Sequence, residues 1–117
     1  MKINARDYLY LSHILSAISD INKFLRSVEY NDFFHSDLMQ SAVMRKFEIM
    51  GEATKRLSLD FRKEHSEIPW KKIAGMRDVL IHDYFGVDVK AIWNTSKEDL
   101  PDLKKKITAI TKINSLL

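Results

Sequence analysis

The chain reads as all-α, an antiparallel bundle of four to five helices, and three observations predict it. Apolar residues recur at three- and four-residue steps through most of the 117 residues, the period of one helix face. Glycine occurs only 3 times and proline 2, too few to punctuate a β-rich or loop-rich fold. The periodic stretches are long enough to lie side by side over a shared core. No linker, repeat or low-complexity tract divides them, so residues 1–117 form a single domain, large enough to bury a real core.

The first helix is expected from Ala5 to Val28, with Tyr8, Leu11, Leu15, Ile18, Ile21, Leu25 and Val28 on its apolar face. His13 falls off that face and reads as a plain surface histidine, since its four-residue neighbours offer no metal partner. Asn31 to His35 reads as a connection, with Ser36 or Asp37 capping the next helix. That second helix is expected from Asp37 to Leu59, with Val43, Phe47, Met50, Thr54 and Leu57 inward. Gly51 lies in its middle at a cost of about 1 kcal/mol against alanine, a cost usually accepted where another helix comes close. Glu52 beside it has two candidate partners, Arg77 or a neighbouring surface lysine, the surface pairing being the commoner fate.

A third helix starts at Pro69, a residue suited to a first helical position. Trp70, Ile73, Leu80 and Tyr84 mark its apolar face, and Arg77 falls on that stripe where a leucine would be expected. A guanidinium there must find an anion, a partner chain or water. Phe85-Gly86 ends this helix, with Gly86 as a plausible cap. Asp88 opens another helix running to about Glu98, Leu100-Pro101 breaks it, and Pro101 starts a last helix with Leu103, Ile107, Ile110, Ile113 and Leu117 on one side.

Composition narrows the function classes. There are no cysteines, which excludes disulfides and thiolate metal sites. The inward Glu-x-x-His motifs of carboxylate-bridged metal bundles are missing too, so no metal and no cofactor is expected. No apolar run approaches a membrane span and the N-terminus lacks a signal-peptide core, so the protein is expected in the cytoplasm, off the membrane. A net charge of +3 permits RNA binding without demanding it. The basic pairs Arg45-Lys46, Lys55-Arg56, Arg62-Lys63 and Lys71-Lys72, with Lys104-Lys105-Lys106, read either as a solvated face or as phosphate contacts.

Chemistry concentrates in Met76-Arg77-Asp78-Val79-Leu80-Ile81-His82-Asp83-Tyr84. Arg77 and Tyr84, seven apart, project from nearly the same helix side, while Asp78 and His82, four apart, can meet. Asp78 would then hold the imidazole in one tautomer and favour its charged form. Arg77 and His82, five apart, diverge by about 140° on the helical wheel. Either the helix is distorted here or two copies pool their residues; a two-fold dimer, which presents the same patch twice, is the favoured solution.

Arg77-x4-His82-x-Tyr84 resembles the signature of the HepT-like toxins, small all-helical proteins of the HEPN superfamily. The likeness extends to Gly51-Glu52-Ala53, to Ile68-Pro69-Trp70-Lys71-Lys72-Ile73, to Phe85-Gly86-Val87-Asp88, to Ile92-Trp93 and to Leu100-Pro101-Asp102-Leu103, and so covers the chain from about Met44 onward. It implies the toxin of a HepT/MntA-type toxin–antitoxin system, a metal-independent endoribonuclease whose substrate is RNA. In such a site His82 serves as base or acid near neutral pH, and Arg77 neutralises charge developing on the phosphoryl oxygens. Asp78 is a supporting residue. The resemblance also implies that Tyr84 is modified by a cognate MntA-like nucleotidyltransferase antitoxin, which attaches AMP. Spacing alone would equally give a structural His82–Asp78 pair, an Arg77 ion pair and a half-buried Tyr84. The alternative function is a non-catalytic HEPN module that binds nucleotides or partner enzymes.

Overall fold

The computed structural model describes residues 3–82 and 86–115, the side chains at 81, 82 and 113–115 apart. It is an all-α bundle, as the sequence predicts, with no strand among the described residues. Four long helices carry it: α1 (Ala5–Phe24), α3 (Asp37–Arg56), α5 (Trp70–His82) and α7 (Leu100–Ser115). Three short ones, α2 (Tyr30–Phe34), α4 (Leu59–Glu64) and α6 (Val89–Asn94), turn the corners. Helix α3 is central, packed on one side against α1 and on the other against α5, while α7 lies on α1.

The core forms where the periodicity puts it. Leu11, Ile14, Ile18 and Ile21 of α1 meet Val43, Phe47 and Met50 of α3 and Ile107 of α7, all 2% exposed or less. Burying one such side chain contributes about 1.5–3 kcal/mol. Thr54 is fully buried too, its hydroxyl satisfied by donating 2.8 Å to the Met50 carbonyl.

Several boundaries differ from the sequence expectation, each for a local reason. Helix α1 stops at Phe24, not Val28, because Ser27 takes a left-handed φ of 60°, and Lys97 donates 3.1 Å to the Leu25 carbonyl left open at that end. Tyr8, expected inside, is 49% exposed. The 31–35 connection is itself largely helical, its capping box closed by Glu29 and Asp32, and Phe33 is buried against Trp93 with ring centroids 5.4 Å apart. Ser36 is the cap of α3, accepting from the Met39 amide at 3.1 Å. Helix α3 ends at Arg56 rather than Leu59, because Ser58 caps the separate α4 by accepting from the Phe61 amide at 3.2 Å.

Ser58 has a second role. Its amide and hydroxyl both donate to the buried carboxylate of Asp7, at 2.8 and 2.7 Å, and Asn4 completes the group by donating to the same carboxylate at 3.1 Å. A buried carboxylate is tolerated only with its lone pairs filled in this way.

Leu100-Pro101 does not break the chain. Helix α6 passes into α7 through a π-helical turn, Thr95–Asp99, with right-handed helical backbone at both of its flanks. A wider turn just before a proline gives room where its ring would otherwise strike the carbonyl four residues back. Leu103, Ile107 and Ile110 are buried as expected, whereas the Ile113 side chain and Leu117 lie outside the described residues.

Candidate functional site

Helix α5 carries the site residues because Trp70, Ile73 and Leu80 pin it to the core, all 8% exposed or less. Trp70 also donates its indole N–H 3.0 Å to the His65 carbonyl, fixing the helix start. Arg77 shares that buried side, and the structure supplies the anions it needs. Its Nε donates to Glu52 Oε2 at 2.9 Å and its Nη1 to Asp78 Oδ1 at 3.1 Å, leaving the side chain 29% exposed. Glu52 therefore takes the partner on the motif helix, and its other oxygen takes the surface residue Arg56 at 3.0 Å.

Gly51 makes this possible. A methyl group at that position would run into the Arg77 Cβ and come within 3.2 Å of the Ile73 carbonyl. The expected close approach of a helix at Gly51 is the approach of α5 itself.

Asp78 is bound more tightly across the seam than along its own helix. Lys55 of α3 donates to its Oδ1 at 2.6 Å. That hydrogen bond, reinforced by Arg77 and opposed by partial desolvation, holds the Asp78 carboxyl below the usual aspartate range. The Glu52 carboxylate, followed by the Tyr10 hydroxyl, keeps the Arg56 guanidinium more firmly charged. The seam thus alternates in sign: Lys55, Asp78, Arg77, Glu52, Arg56. The role of Lys55 in it carries no signal in the spacing of the sequence.

Helix α5 stays α-helical from Trp70 through His82, so positions 77 and 82 keep their separation of about 140° on the wheel and no distortion realigns them. The His82 side chain, and with it the expected Asp78–His82 contact, lies outside the described residues, as does Tyr84. The same holds for the helix end expected at Phe85. Among the described residues no group of three or more His, Asp or Glu side chains gathers where it could hold a metal ion. No described helix is long and apolar enough to cross a membrane.

Arg77 also borders open space. A cleft of about 460 Å³ runs along α1 and α3, with Tyr10, His13, Arg45, Ile49, Arg56 and Arg77 among its walls. His13 is on the surface, as its position on the helix suggests, but the surface is that of this cleft.

Fold and site together define an all-α bundle in which an arginine, oriented by two carboxylates at a helix–helix seam, lines a cleft. The chain belongs to the HepT-like ribonuclease family: the family model described as "Ribonuclease HepT-like" matches residues 14–110. That match reaches well ahead of Met44, where the motif resemblance began. A Thermococcus cleftensis protein named "Probable ribonuclease HepT" is 47% identical over 96% of this chain and all of its own length. A Caldanaerobacter subterraneus protein named "Putative RNase TTE0752" is 43% identical over 86% of this chain and 90% of its own. No solved structure matches the chain.

Proposed function

We propose that this protein is a metal-independent endoribonuclease, working as a cytoplasmic homodimer, and the toxin of a toxin–antitoxin pair. The observation that carries the reading is the setting of Arg77. Glu52 and Asp78 hold its guanidinium at 2.9 and 3.1 Å beside an open cleft, so its orientation is set before any ligand arrives. A preoriented guanidinium suits the charge that builds on phosphoryl oxygens. The ribonuclease names of the relatives agree with it.

In this reading a histidine takes the proton of a ribose 2′-OH. The 2′-oxygen attacks the phosphorus, the bond to the 5′-oxygen breaks, and a second acid protonates that leaving oxygen. The products carry a cyclic phosphate, or a 3′-phosphate after hydrolysis, and a 5′-hydroxyl. The wheel separation of Arg77 and His82 motivates the dimer, in which two copies supply both residues around one phosphate. Val79, 57% exposed between them on the motif helix, is an apolar side chain that a partner copy would cover.

Silencing follows through Tyr84. Its hydroxyl attacks the α-phosphorus of ATP on a nucleotidyltransferase antitoxin, pyrophosphate leaves, and the phosphodiester formed occupies the anion site beside Arg77.

The test is cleavage of RNA by purified protein in the presence of EDTA. Arg77→Ala and His82→Ala should each abolish it while leaving the helical circular dichroism intact; native rates in both would overturn the catalytic assignment. Binding of nucleotides without cleavage by the wild type would favour the non-catalytic module instead. Tyr84→Phe should keep cleaving RNA yet gain no AMP mass when incubated with the antitoxin and ATP.

A further inference from the structure

We infer that the cleft between α1 and α3 is a binding subsite for single-stranded RNA. It seats an unpaired base on Tyr10 and His13 and a flanking phosphate on Arg45 and Arg56, next to the phosphate held by Arg77. The inference rests on the ribonuclease reading and extends it to substrate class, along a surface that reaches from Arg77 to residues outside the motif.

Three features of the cleft argue for it. The first is its size. At about 460 Å³ it falls within the roughly 300–1,000 Å³ range of small-molecule sites. The second is its arrangement of rings. Tyr10 and His13, one helical turn apart on α1, stand edge to face with centroids 5.7 Å apart and an interplanar angle of 87°. Ile49 and Ala53 of α3 line the same cleft. An apolar wall with aromatic faces suits a flat base, which stacks without regard to its identity.

The third is charge. Arg45, Arg56 and Arg77 outnumber Glu48 and Glu52. Both carboxylates are already engaged: Glu48 accepts from Arg45 at 3.2 Å, and Glu52 is shared between Arg56 and Arg77 at 3.0 and 2.9 Å. They orient the guanidinium groups and leave the cleft a net positive charge. Arginine matches phosphate with a planar fork of donors. Arg56 and Arg77, joined through one carboxylate, stand ready for neighbouring phosphates of one strand. A run of aspartates and glutamates would meet the same charge, but it has no flat ring to place against Tyr10 and His13.

His13 is exposed and the Arg45 side chain is 69% exposed, so His13→Ala and Arg45→Gln should leave the fold intact. The probe is a fluorescent, single-stranded 2′-O-methyl RNA oligonucleotide, which binds without being cut. Each variant should weaken its binding about tenfold by anisotropy, the scale of one lost stack or phosphate contact. The charge-matched Arg26→Gln, on the turn after α1, should leave binding within about twofold. With cleavable RNA the two cleft variants should raise KM and leave kcat unchanged.

If the wild type cleaves RNA while the cleft variants bind the probe as it does, the subsite is overturned and the ribonuclease reading stands. If the cleft variants lose binding but no protein cuts RNA, the subsite stands and the catalytic reading falls. If the wild type neither binds nor cuts RNA, both fall. Displacement of the probe by oligoglutamate of equal charge, as readily as by unlabelled RNA, would make the cleft a site for acidic peptides and overturn the inference.

Discussion

One helix, α3, builds two unlike regions on its two sides. Towards α1 and α7 it buries Val43, Phe47 and Met50 among aliphatic side chains that water scarcely reaches. Towards α5 it offers Glu52 to Arg77 and Lys55 to Asp78, with Arg56 on the other oxygen of Glu52, in ion pairs whose side chains remain 29–52% exposed. Burial of apolar area stabilises by amounts that add up over the core, whereas ion pairs this exposed contribute about 1 kcal/mol or less each. The first region therefore makes the fold, and the second fixes where one guanidinium points. Damage to the two should separate: loss of stability on one side, loss of function without unfolding on the other.

The largest effect is expected in the core. Phe47→Ala should cost about 3–5 kcal/mol, read as a fall in the urea midpoint. A cost under about 1 kcal/mol would mean that α3 is not the centre of the bundle.

Gly51→Ala tests the boundary between the regions. Alanine in a helix interior ordinarily gains about 1 kcal/mol over glycine. Here the added methyl meets the Arg77 Cβ, the rigid root of that side chain, and α3 and α5 must part. A net loss of about 1–3 kcal/mol is expected, with RNA cleavage reduced together with stability. A stabilised variant would show that the helices are not in contact there.

Glu52→Gln should separate the two properties. Stability should fall by about 1 kcal/mol or less. Cleavage should fall about tenfold or more, because in the proposed mechanism a guanidinium shifted by even 1 Å loses its match to the transition state. Equal losses in both would contradict the division.

The smallest effect concerns Asp78. Its carboxyl is held below the usual range in the folded protein, chiefly by Lys55. Its stabilising contribution is therefore present above the unfolded-state value of about 3.9 and is lost as pH falls through the lower folded-state value. Asp78→Asn should leave the thermal midpoint nearly unchanged at neutral pH when salt is raised, and should flatten the acid side of the stability profile below about pH 4.

The two regions were not equally legible in the sequence. Val43, Phe47, Met50, Thr54 and Leu57 follow from period alone, because a core asks only for apolar side chains at the right steps. Gly51 announced a close neighbour, and Arg77 announced a need for anions. What period cannot give is the far partner. Lys55 on Asp78, and the position of His13 on the wall of the Arg77 cleft, depend on how α1 and α5 dock against α3. The misplaced boundaries share another cause: Ser27, Ser58 and the 95–99 turn end or bend helices through backbone geometry, with no change in hydrophobic pattern. The buried role of Asp7 leaves no trace in the pattern either, since an aspartate near the start of a helix looks like an ordinary solvated charge.

That aspartate also bears on the order of events when the chain is made. Its carboxylate waits for the amide and hydroxyl of Ser58, 51 residues further along. At a synthesis rate of roughly 5–20 residues per second, several seconds pass between the two leaving the ribosome. Until Ser58 arrives, the Asp7 carboxylate has Asn4 as a local donor but lacks the two donors that Ser58 brings, although the apolar side of α3 has by then been made. The N-terminal end of α1 is thus locked only after the whole of α3 has been made.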